Sequence, residues 1–248
     1  MKTSIHIENK LISKPSRLGF KYHIKTFGCQ MNEHDSEKIA GIFNSDGMSK
    51  SEDIDQADIL FVNTCTIREN ADDKLYGTLG HLKKWKEQSS DRRLIVGGCA
   101  AQKDKELVRD RAPWVDVVIG THNTNDVINL LNQSEDWGPI TKIVEETLDI
   151  ETEILPVRES GFSAFVTIQI GCNNSCTFCI VPSVRGVEIS RRPSDIINEI
   201  KNLSNEGVKE ITLLGQNVNS YGRDLMIDNK RSPYFTQLLY KIHEIDGI

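Results

Sequence analysis

The chain has 248 residues, 38% of them hydrophobic, and a formal net charge of −6. This length suits one large domain or two smaller ones. The acidic balance gives no support for a nucleic-acid binder, although a local basic patch is enough for an RNA contact. No apolar run approaches the roughly 20 residues that a membrane helix needs, so no membrane association is expected.

The N-terminus and the cysteines indicate a reducing compartment. Residues 1–19 are polar, contain no apolar signal-peptide core and are predicted to be a disordered or loosely docked leader. Six cysteines are enough for three disulfides, but three of them are crowded within eight residues and no secretory signal is present. The cytoplasm is therefore the expected location, where thiols stay reduced and can bind metals.

Residues 20–135 alternate strand-like and helix-like segments, which predicts an α/β domain with a parallel sheet covered by helices. The predicted strands are 20–27, 57–64, 92–98 and 115–121. The predicted helices are 32–43 with Asn32 as N-cap, a segment around 75–85, a short one that ends near 112, and 126–132.

Three cysteines follow three of these strands. Cys29, Cys65 and Cys99 each come just after a predicted strand and are spaced one βα unit apart. Because ligands bind at the carboxyl ends of the strands in open parallel sheets, we expect the three thiols to share one site. The alternative is three ordinary cysteines in the core, where this residue type is common.

A second α/β segment follows an interruption. Residues 136–161 are rich in acidic residues without a sustained period and are predicted to be a linker. Residues 162–248 are predicted to form the second domain. Its expected strands are 162–170 and 208–215, and its expected helices are 192–207, with Ser194 as N-cap, and 233–245.

The stretch GCNNSCTFCIVPSVRG starts at Gly171 and holds Cys172, Cys176 and Cys179. A structural zinc site needs four ligands, usually as CxxC-like pairs or with histidine. Three cysteines on a 4Fe-4S cluster leave one iron open to bind a substrate or a cofactor. The odd count therefore favours cluster chemistry over a structural zinc site.

The spacing CxxxCxxC after a strand resembles that of the radical S-adenosylmethionine (SAM) enzymes. More widely, the chain resembles the radical SAM methylthiotransferase family over about residues 20–245, most of all its MiaB-type tRNA branch. The motifs that carry this resemblance are KTFGCQMNEHDSE, NTCTIRE, VGGCAAQ, GTHN, EISRRP and LLGQNVNSYG.

The resemblance implies an N-terminal parallel-sheet α/β domain followed by the start of a radical SAM partial (β/α) barrel. Residues 162–248 are too few for the whole barrel, so the chain is expected to be C-terminally truncated. The second strand of this domain is then expected to keep an unpaired edge. Whether such a shortened chain is active is left open.

The resemblance also implies roles for single residues. Cys172, Cys176 and Cys179 would hold the radical 4Fe-4S cluster, whose open iron binds SAM. The trio after the N-terminal strands would hold an auxiliary 4Fe-4S cluster that carries the inserted sulfur. Phe178 would lie beside the adenine of SAM, and Gln216 and Asn217 would contact SAM. The alternatives are a core phenylalanine and a polar turn.

The implied reaction adds a methylthio group to carbon 2 of N6-isopentenyladenosine beside the anticodon, with SAM as both methyl donor and radical source. The expected partners are the tRNA substrate, a flavodoxin- or ferredoxin-like electron donor, and an iron–sulfur carrier protein. Two alternatives stay open. One is methylthiotransfer to threonylcarbamoyl-adenosine in tRNA or to a ribosomal protein, and the other is a non-catalytic metal-binding or electron-transfer module.

Basic residues are candidates for tRNA phosphate contacts, which position a protein rather than read sequence. Arg185, Arg191 and Arg192 lie near the cysteine loop, and a solvated loop is the alternative. The run HLKKWK (81–86) with Arg92 and Arg93 is a second candidate, with a charged helix face as its alternative. Ser175 and Ser183 stand where the family usually has aromatic residues, and neither is an expected cluster ligand.

Overall fold

In a computed structural model of the protein, the structure describes residues 16–66, 71–145, 156–158, 160–227, 229 and 231–248. Residues 1–15 of the predicted leader and 146–155 of the predicted linker lie outside the described residues. In the described ranges, no helix is long and apolar enough to cross a membrane.

The N-terminal unit is built on a six-stranded sheet. Its strands are β1 (Lys21–Thr26), β2 (Ser49–Lys50), β3 (Ile59–Thr64), β4 (Arg93–Gly98), β5 (Val117–Ile119) and β6 (Ile140–Lys142). They pair in the order β2-β1-β3-β4-β5-β6, and every pair is parallel, which confirms the predicted parallel sheet. β6 falls inside the predicted linker, because three residues are too few to show an alternating pattern.

Helices cover both faces of this sheet. They are α1 (Gln30–Ser45), α2 (Ala71–Glu87), α3 (Cys99–Asp104), α4 (Leu107–Arg111) and α5 (Val127–Trp137). Along β3, Ile59 and Phe61 pack in the core on the α1 and α5 side, whereas Leu60 and Val62 pack in the core on the α2 side. The first four residues of the strand are therefore all apolar, as expected for a parallel strand covered on both faces.

The start of α1 differs from the prediction. Asn32 is not the N-cap. The cap is Cys29, whose extended backbone carbonyl accepts hydrogen bonds from the backbone N–H groups of Asn32 (2.8 Å) and Glu33 (3.2 Å). Asn32 is fully buried in the first turn. Its amide is used for tertiary hydrogen bonds, which a local capping preference does not take into account.

The second unit begins with β7 (Ser163–Thr167) and β8 (Gln169–Ile170), so the single strand expected at 162–170 is divided at Ile168. The remaining elements are α6 (Val181–Arg185), β9 (Ile189–Ser190), α7 (Pro193–Asn205), β10 (Glu210–Leu214) and α8 (Phe235–His243). β7 pairs in parallel with β10, and β8 pairs antiparallel with β9. Among the described residues, β10 has no strand on its other side, as expected.

The core of the second unit lies between β7 and its two longer helices. Val166 and Ile168 pack with Ile196 and Ile200 of α7 and with Leu238 of α8. α7 starts at Pro193, with Arg192 at the N-cap position in place of the predicted Ser194. Proline is favoured in the first turn of a helix because its backbone has no N–H that would need a partner there.

The two units are in contact along α1. The ring of His34 lies edge-on to Phe165 of β7, with 6.4 Å between the ring centroids. The hydroxyl of Thr167 donates to the sulfur of Met31 at 3.9 Å. This contact holds the edge of the first sheet next to the beginning of the second unit.

Candidate iron–sulfur sites

The three N-terminal cysteines follow three neighbouring strands, as predicted. Cys29 caps α1 after β1, Cys65 directly follows β3, and Cys99 opens α3 after β4. Cys65 and Cys99 are buried, whereas Cys29 is partly exposed. The backbones approach closely, since a Cβ built on Gly28 would lie 2.9 Å from the Cβ of Cys65. The sheet thus brings residues 29, 65 and 99 to one edge.

A buried polar network supports this edge. The amide of Asn63 donates to the carbonyl of Asn32 (2.8 Å) and to the hydroxyl of Ser36 (2.9 Å). Asn32 in turn donates to the side chain of Asn63 (3.1 Å) and to the carbonyl of Thr64 (3.2 Å). The Cys29 thiol donates to Asn32 at 3.4 Å.

Both amides are at most 1% exposed, so their hydrogen bonds replace those that water would otherwise make. Sequence reasoning missed this network. The available signal was the amide residue Asn63, which follows four apolar residues in the strand ILFVNT.

Cys99 has a charged neighbour from the second unit. Burial raises the pKa of the Cys99 thiol, and the nearby guanidinium of Arg185 opposes this rise. The Nη2 atom of Arg185 lies 2.7 Å from a carboxylate oxygen of Asp35 in α1, as an ion pair. This buried nitrogen has no hydrogen-bond partner among the residues that the structure describes. The guanidinium is therefore ion-paired with an acidic residue of the N-terminal unit and keeps a donor beside a candidate ligand.

The second trio lies on one loop between β8 and α6. Cys172 is buried, whereas Cys176 and Cys179 are exposed. The loop starts at Gly171, which has a φ of +68°, and a Cβ there would collide with the carbonyl oxygen of Val187. The backbone N–H of Cys172 donates to the carbonyl of Gly186 at 3.1 Å. The end of the loop at Cys172 is thus held against residues 186–187, which precede β9. The thiols of Cys176 and Cys179 face solvent.

The predicted SAM contacts lie near this loop. Phe178 is 95% exposed, so it is not a core residue. Gln216 and Asn217 follow β10 and are partly buried. Because β10 and β7 are parallel neighbours, the segment after β10 lies at the same sheet edge as the segment after β7.

A second buried polar group lies beneath the loop and was also missed from the sequence. Gln169 is fully buried, and its amide nitrogen donates to the hydroxyl of Ser220 (3.2 Å), which donates to Glu188 (2.6 Å). The buried Oε1 of Gln169 has no hydrogen-bond partner among the residues that the structure describes. Glu188 opens the motif EISRRP, which was the available signal.

The donor sets fit iron–sulfur clusters. All six cysteines are free thiols. In the described part of the chain, no three His, Cys, Asp or Glu side chains are arranged as ligands of a single metal ion. A four-iron cube takes its thiolates at separate corners and does not require them to surround one point. Cysteine thiolates are the usual ligands of such clusters, and each site offers three of them. A closed zinc site would need a fourth ligand.

A cavity at the junction of the two units is separate from both trios. Its volume is about 700 Å³. It lies between β1 and α1 on one side and β7 and β10 on the other, where Tyr22, Glu33 and Phe165 are among its lining residues. None of the six cysteines is among the described residues that line it.

Two of the three arginines proposed as phosphate contacts have buried or nearly buried side chains instead. The side chain of Arg185 is 7% exposed and is ion-paired with Asp35. That of Arg191 is 9% exposed, is ion-paired with Glu199 at 2.7 Å and donates to the carbonyl of Thr167 at 2.8 Å. Both the phosphate interpretation and the solvated-loop alternative are wrong for these two residues, because tertiary contacts hold their side chains away from solvent. Arg192 is exposed.

The basic side chains of the second segment, 81–86 with Arg92, also form contacts mostly with other residues of the chain. Lys86 pairs with Asp116 at 2.8 Å, and Lys83 pairs with Glu87 at 3.8 Å. The guanidinium of Arg92 lies 4.9 Å from the ring centroid of Trp85. These contacts favour a charged helix face over a dedicated phosphate site.

Comparison with known proteins finds a family match for each of the two units. Residues 21–120 match the family described as "Uncharacterized protein family UPF0004", and residues 166–247 match the radical SAM superfamily. Proteins named tRNA-2-methylthio-N(6)-dimethylallyladenosine synthase are 48% identical in Mycobacterium bovis and 46% identical in Corynebacterium efficiens. Both alignments cover 92% of this chain, but only 45% and 44% of those relatives. The chain thus spans less than half the length of the relatives it matches.

Solved structures agree on the fold. The radical SAM methyltransferase TsrM from Kitasatospora setae, with tryptophan and a SAM analogue bound, superposes with a TM-score of 0.52 at 10% identity, covering 80% of this chain and 48% of that one. A TsrM structure with cobalamin and a [4Fe-4S] cluster bound gives a TM-score of 0.53 over 82% of this chain and 48% of that one.

The fold and the cysteine loop therefore define an α/β protein that contains the start of a radical SAM domain. The chain combines a unit that matches the UPF0004 family with a unit that matches the radical SAM superfamily. Over 92% of its length it is similar to the two tRNA-2-methylthio-N(6)-dimethylallyladenosine synthases, at 46–48% identity.

Proposed function

We propose that this chain provides the two iron–sulfur sites of a tRNA methylthiotransferase that acts on carbon 2 of N6-isopentenyladenosine beside the anticodon. The observation that carries the proposal is the pairing of two odd cysteine trios on two units that are in contact through α1 and α6. The names of the relatives, which specify the same methylthio-dimethylallyl-adenosine product, support the choice of substrate.

The two trios are suited to different tasks. Cys172, Cys176 and Cys179 would hold the radical cluster on a loop with two exposed thiols, where SAM can reach an open iron. The trio of Cys29, Cys65 and Cys99 would hold the auxiliary cluster at the more buried sheet edge. When bound, the two clusters and SAM would supply a carbon radical and the sulfur to be inserted.

The chain's own residues would bind and orient these groups. The exposed ring of Phe178 offers a stacking surface for the adenine of SAM. Gln216 and Asn217 would contact SAM from the end of β10, with Gln169 and Glu188 held behind them. The buried amides of the N-terminal unit would keep the auxiliary ligands in place and exclude water from them.

The proposed partners follow from the same reaction. They are a tRNA, an electron donor of the flavodoxin or ferredoxin type, and an iron–sulfur carrier protein. Arg192 is the exposed arginine beside the loop that remains available for a tRNA phosphate. The cytoplasm is the proposed compartment, because thiol ligands stay reduced there.

The test of the two sites is the iron and acid-labile sulfide content per chain after anaerobic reconstitution. The wild type is expected to hold about eight irons, and the variant with Cys29→Ala, Cys65→Ala and Cys99→Ala about four. About four irons in both proteins would mean that the N-terminal trio holds no cluster, and the methylthiotransferase proposal would fail.

The test of the substrate is nucleoside analysis of tRNA by mass spectrometry from cells with and without the gene. Loss of the 2-methylthio group from the isopentenylated adenosine alone is the expected result. Loss from threonylcarbamoyl-adenosine, or unchanged tRNA with an altered ribosomal protein, would assign the activity to one of the alternative substrates.

A further inference from the structure

α6 is fixed between the two cysteine sites by its backbone. At its end, the carbonyl of Gly186 accepts a hydrogen bond from the backbone N–H of Cys172 at 3.1 Å. Two residues earlier, the carbonyl of Val184 accepts a hydrogen bond from the hydroxyl of Thr121 at 2.6 Å. Thr121 belongs to the loop after β5, so α6 is held by the radical loop on one side and by the N-terminal unit on the other.

Arg185 is the last residue of α6, and its side chain points into the N-terminal unit. The whole residue is 6% exposed and its side chain 7%, so Arg185 is buried. Its ion pair is with Asp35, in the helix that Cys29 caps. Its buried Nη2 has no hydrogen-bond partner among the described residues. Because α6 packs against α3, the helix that Cys99 opens, this free donor lies beside one candidate ligand and contacts the helix of another.

The charge balance around Arg185 suits a ligand thiolate. Burying a guanidinium is costly unless anions and acceptors compensate it. Asp35 supplies one negative charge, and Cys99 supplies a second one when its sulfur is a thiolate bound to iron. Hydrogen bonds to cluster sulfurs and the local charge are the means by which a protein sets the reduction potential of a cluster.

We propose that Arg185 is a positioning residue of the auxiliary site: it donates to the ligand sulfur of Cys99, holds that ligand in place from the radical-loop side, and raises the reduction potential of the cluster there. This inference rests on the proposed auxiliary cluster. Through α6, the geometry of the radical loop is then coupled to the electronic state of the other cluster.

Arg191 provides a matched control. It is a second arginine with a mostly buried side chain at the same contact between the units, with an ion pair to Glu199 of the same length, 2.7 Å. Its side chain also donates a hydrogen bond to the carbonyl of Thr167. Within the described residues, no hydrogen bond or ion pair joins Arg191 to a cysteine, so Arg191→Gln removes a comparable ion pair without touching a candidate ligand.

The experiment isolates the auxiliary cluster in the full chain that carries Cys172→Ala, Cys176→Ala and Cys179→Ala. Arg185→Gln, Arg185→Lys and Arg191→Gln are added to this parent one at a time. After anaerobic reconstitution, iron per chain, the rate of iron release to a chelator, and the midpoint potential from an EPR-monitored redox titration are measured.

For Arg185→Gln we expect a midpoint potential more negative than in the parent and a several-fold faster release of iron. Arg185→Lys keeps the charge, and its midpoint potential and rate of iron release are expected to lie between those of the parent and Arg185→Gln. Arg191→Gln is expected to keep the potential of the parent even if its melting temperature falls.

Three outcomes would overturn the inference. If Arg185→Gln and Arg191→Gln have the same potential as the parent, Arg185 has only a structural role. If Arg185→Gln does not fold, an unchanged potential in Arg185→Lys leads to the same conclusion. If the parent itself holds no iron, the auxiliary cluster is absent, and the proposed function fails together with the inference.

Discussion

The two cysteine sites are built in opposite ways. The N-terminal trio comes from three separate strands, is mostly buried, and rests on a network of buried amides. The radical trio comes from one loop, and two of its three thiols face solvent. The first site therefore depends on the tertiary fold, whereas the second depends on the conformation of a short segment. Substitutions that act on the fold alone or on the loop alone should therefore remove iron from one site and leave it at the other.

The largest effect is expected for Gly171→Ala. The added methyl group would collide with the backbone of Gly186 and Val187, where no flexible side chain can move aside, and φ is +68°. We expect a loss of about 3 kcal/mol or more in the free energy of unfolding. The variant should also lose iron from the radical loop and keep that of the N-terminal site. Urea denaturation and iron content measure the two effects.

Gly138→Ala is the matched control for this substitution. Gly138 has a φ of +87°, but a Cβ there would meet no atom within 4 Å. Only the backbone conformation is then penalised, by about 1 kcal/mol. Equal losses for the two variants would show that the collision at Gly171 is relieved and that the loop does not depend on it.

Asn63→Ala tests the opposite site. The substitution removes an amide that serves Asn32 and Ser36 and leaves buried polar groups without partners. The expected cost is about 2 kcal/mol in stability, with loss of iron from the N-terminal trio and retention at the radical loop. Thermal unfolding and iron analysis provide the measurements.

Asn173→Ala is the counterpart in the radical loop. Asn173 is exposed and accepts one hydrogen bond, from the backbone N–H of Glu188 at 3.0 Å. Because water can replace this bond, the expected cost is about 0.5–1 kcal/mol. A cost for Asn63→Ala no larger than this would contradict the view that the N-terminal site depends on its buried amide network.

Lys38→Met concerns the contact between the two regions. Burial lowers the pKa of Lys38, Arg191 and Arg185 lower it further, and Asp35 and Glu199 oppose the change. Between this lowered pKa and the ordinary value of about 10.4, the unfolded chain binds more protons than the folded one. Stability contributed by Lys38 therefore rises with pH across that window.

In Lys38→Met this rise should disappear, as measured by urea denaturation over a pH series. Lys201→Met, at an exposed position of α7, serves as the control and should keep the wild-type dependence. An identical pH dependence for Lys38→Met and the wild type would show that the amine is effectively solvated at the contact.

The smallest effect on stability is expected for Phe178→Ala. The side chain is 95% exposed, so its removal should change the free energy of unfolding by less than about 0.5 kcal/mol. Weaker binding of SAM, measured by calorimetry on the reconstituted chain, is expected from the loss of the stacking surface. A large loss of stability, or unchanged SAM binding, would speak against the proposed role.

Much of this arrangement was predictable from the sequence because it repeats a local pattern. Apolar runs such as ILFVNT and the spacing of Leu75, Leu79 and Leu82 were sufficient to predict the parallel sheet and its helices. The shared edge of Cys29, Cys65 and Cys99 followed from the topology rule for parallel strands. The radical loop could be recognised from the sequence because all three of its cysteines lie within eight residues.

The rest depends on partners that are distant in the chain. Asn32 has the residue type of a cap, but it lies in the first turn because its amide bonds to Asn63. Arg185 and Arg191 have the residue type of surface phosphate contacts, but each lies in an ion pair at the contact of the two units. Local propensity carries no information on such pairings.

The near-sequential order of the first sheet has a consequence for synthesis of the chain on the ribosome. β1, β3, β4, β5 and β6 lie side by side in the order in which they are translated. Since N-terminal units generally fold first during translation, the thiol edge can be complete once β4 has joined its neighbours. Arg185 is translated later and closes over Cys99 last. A cluster carrier would then find the auxiliary site open during a limited period, before the second unit docks.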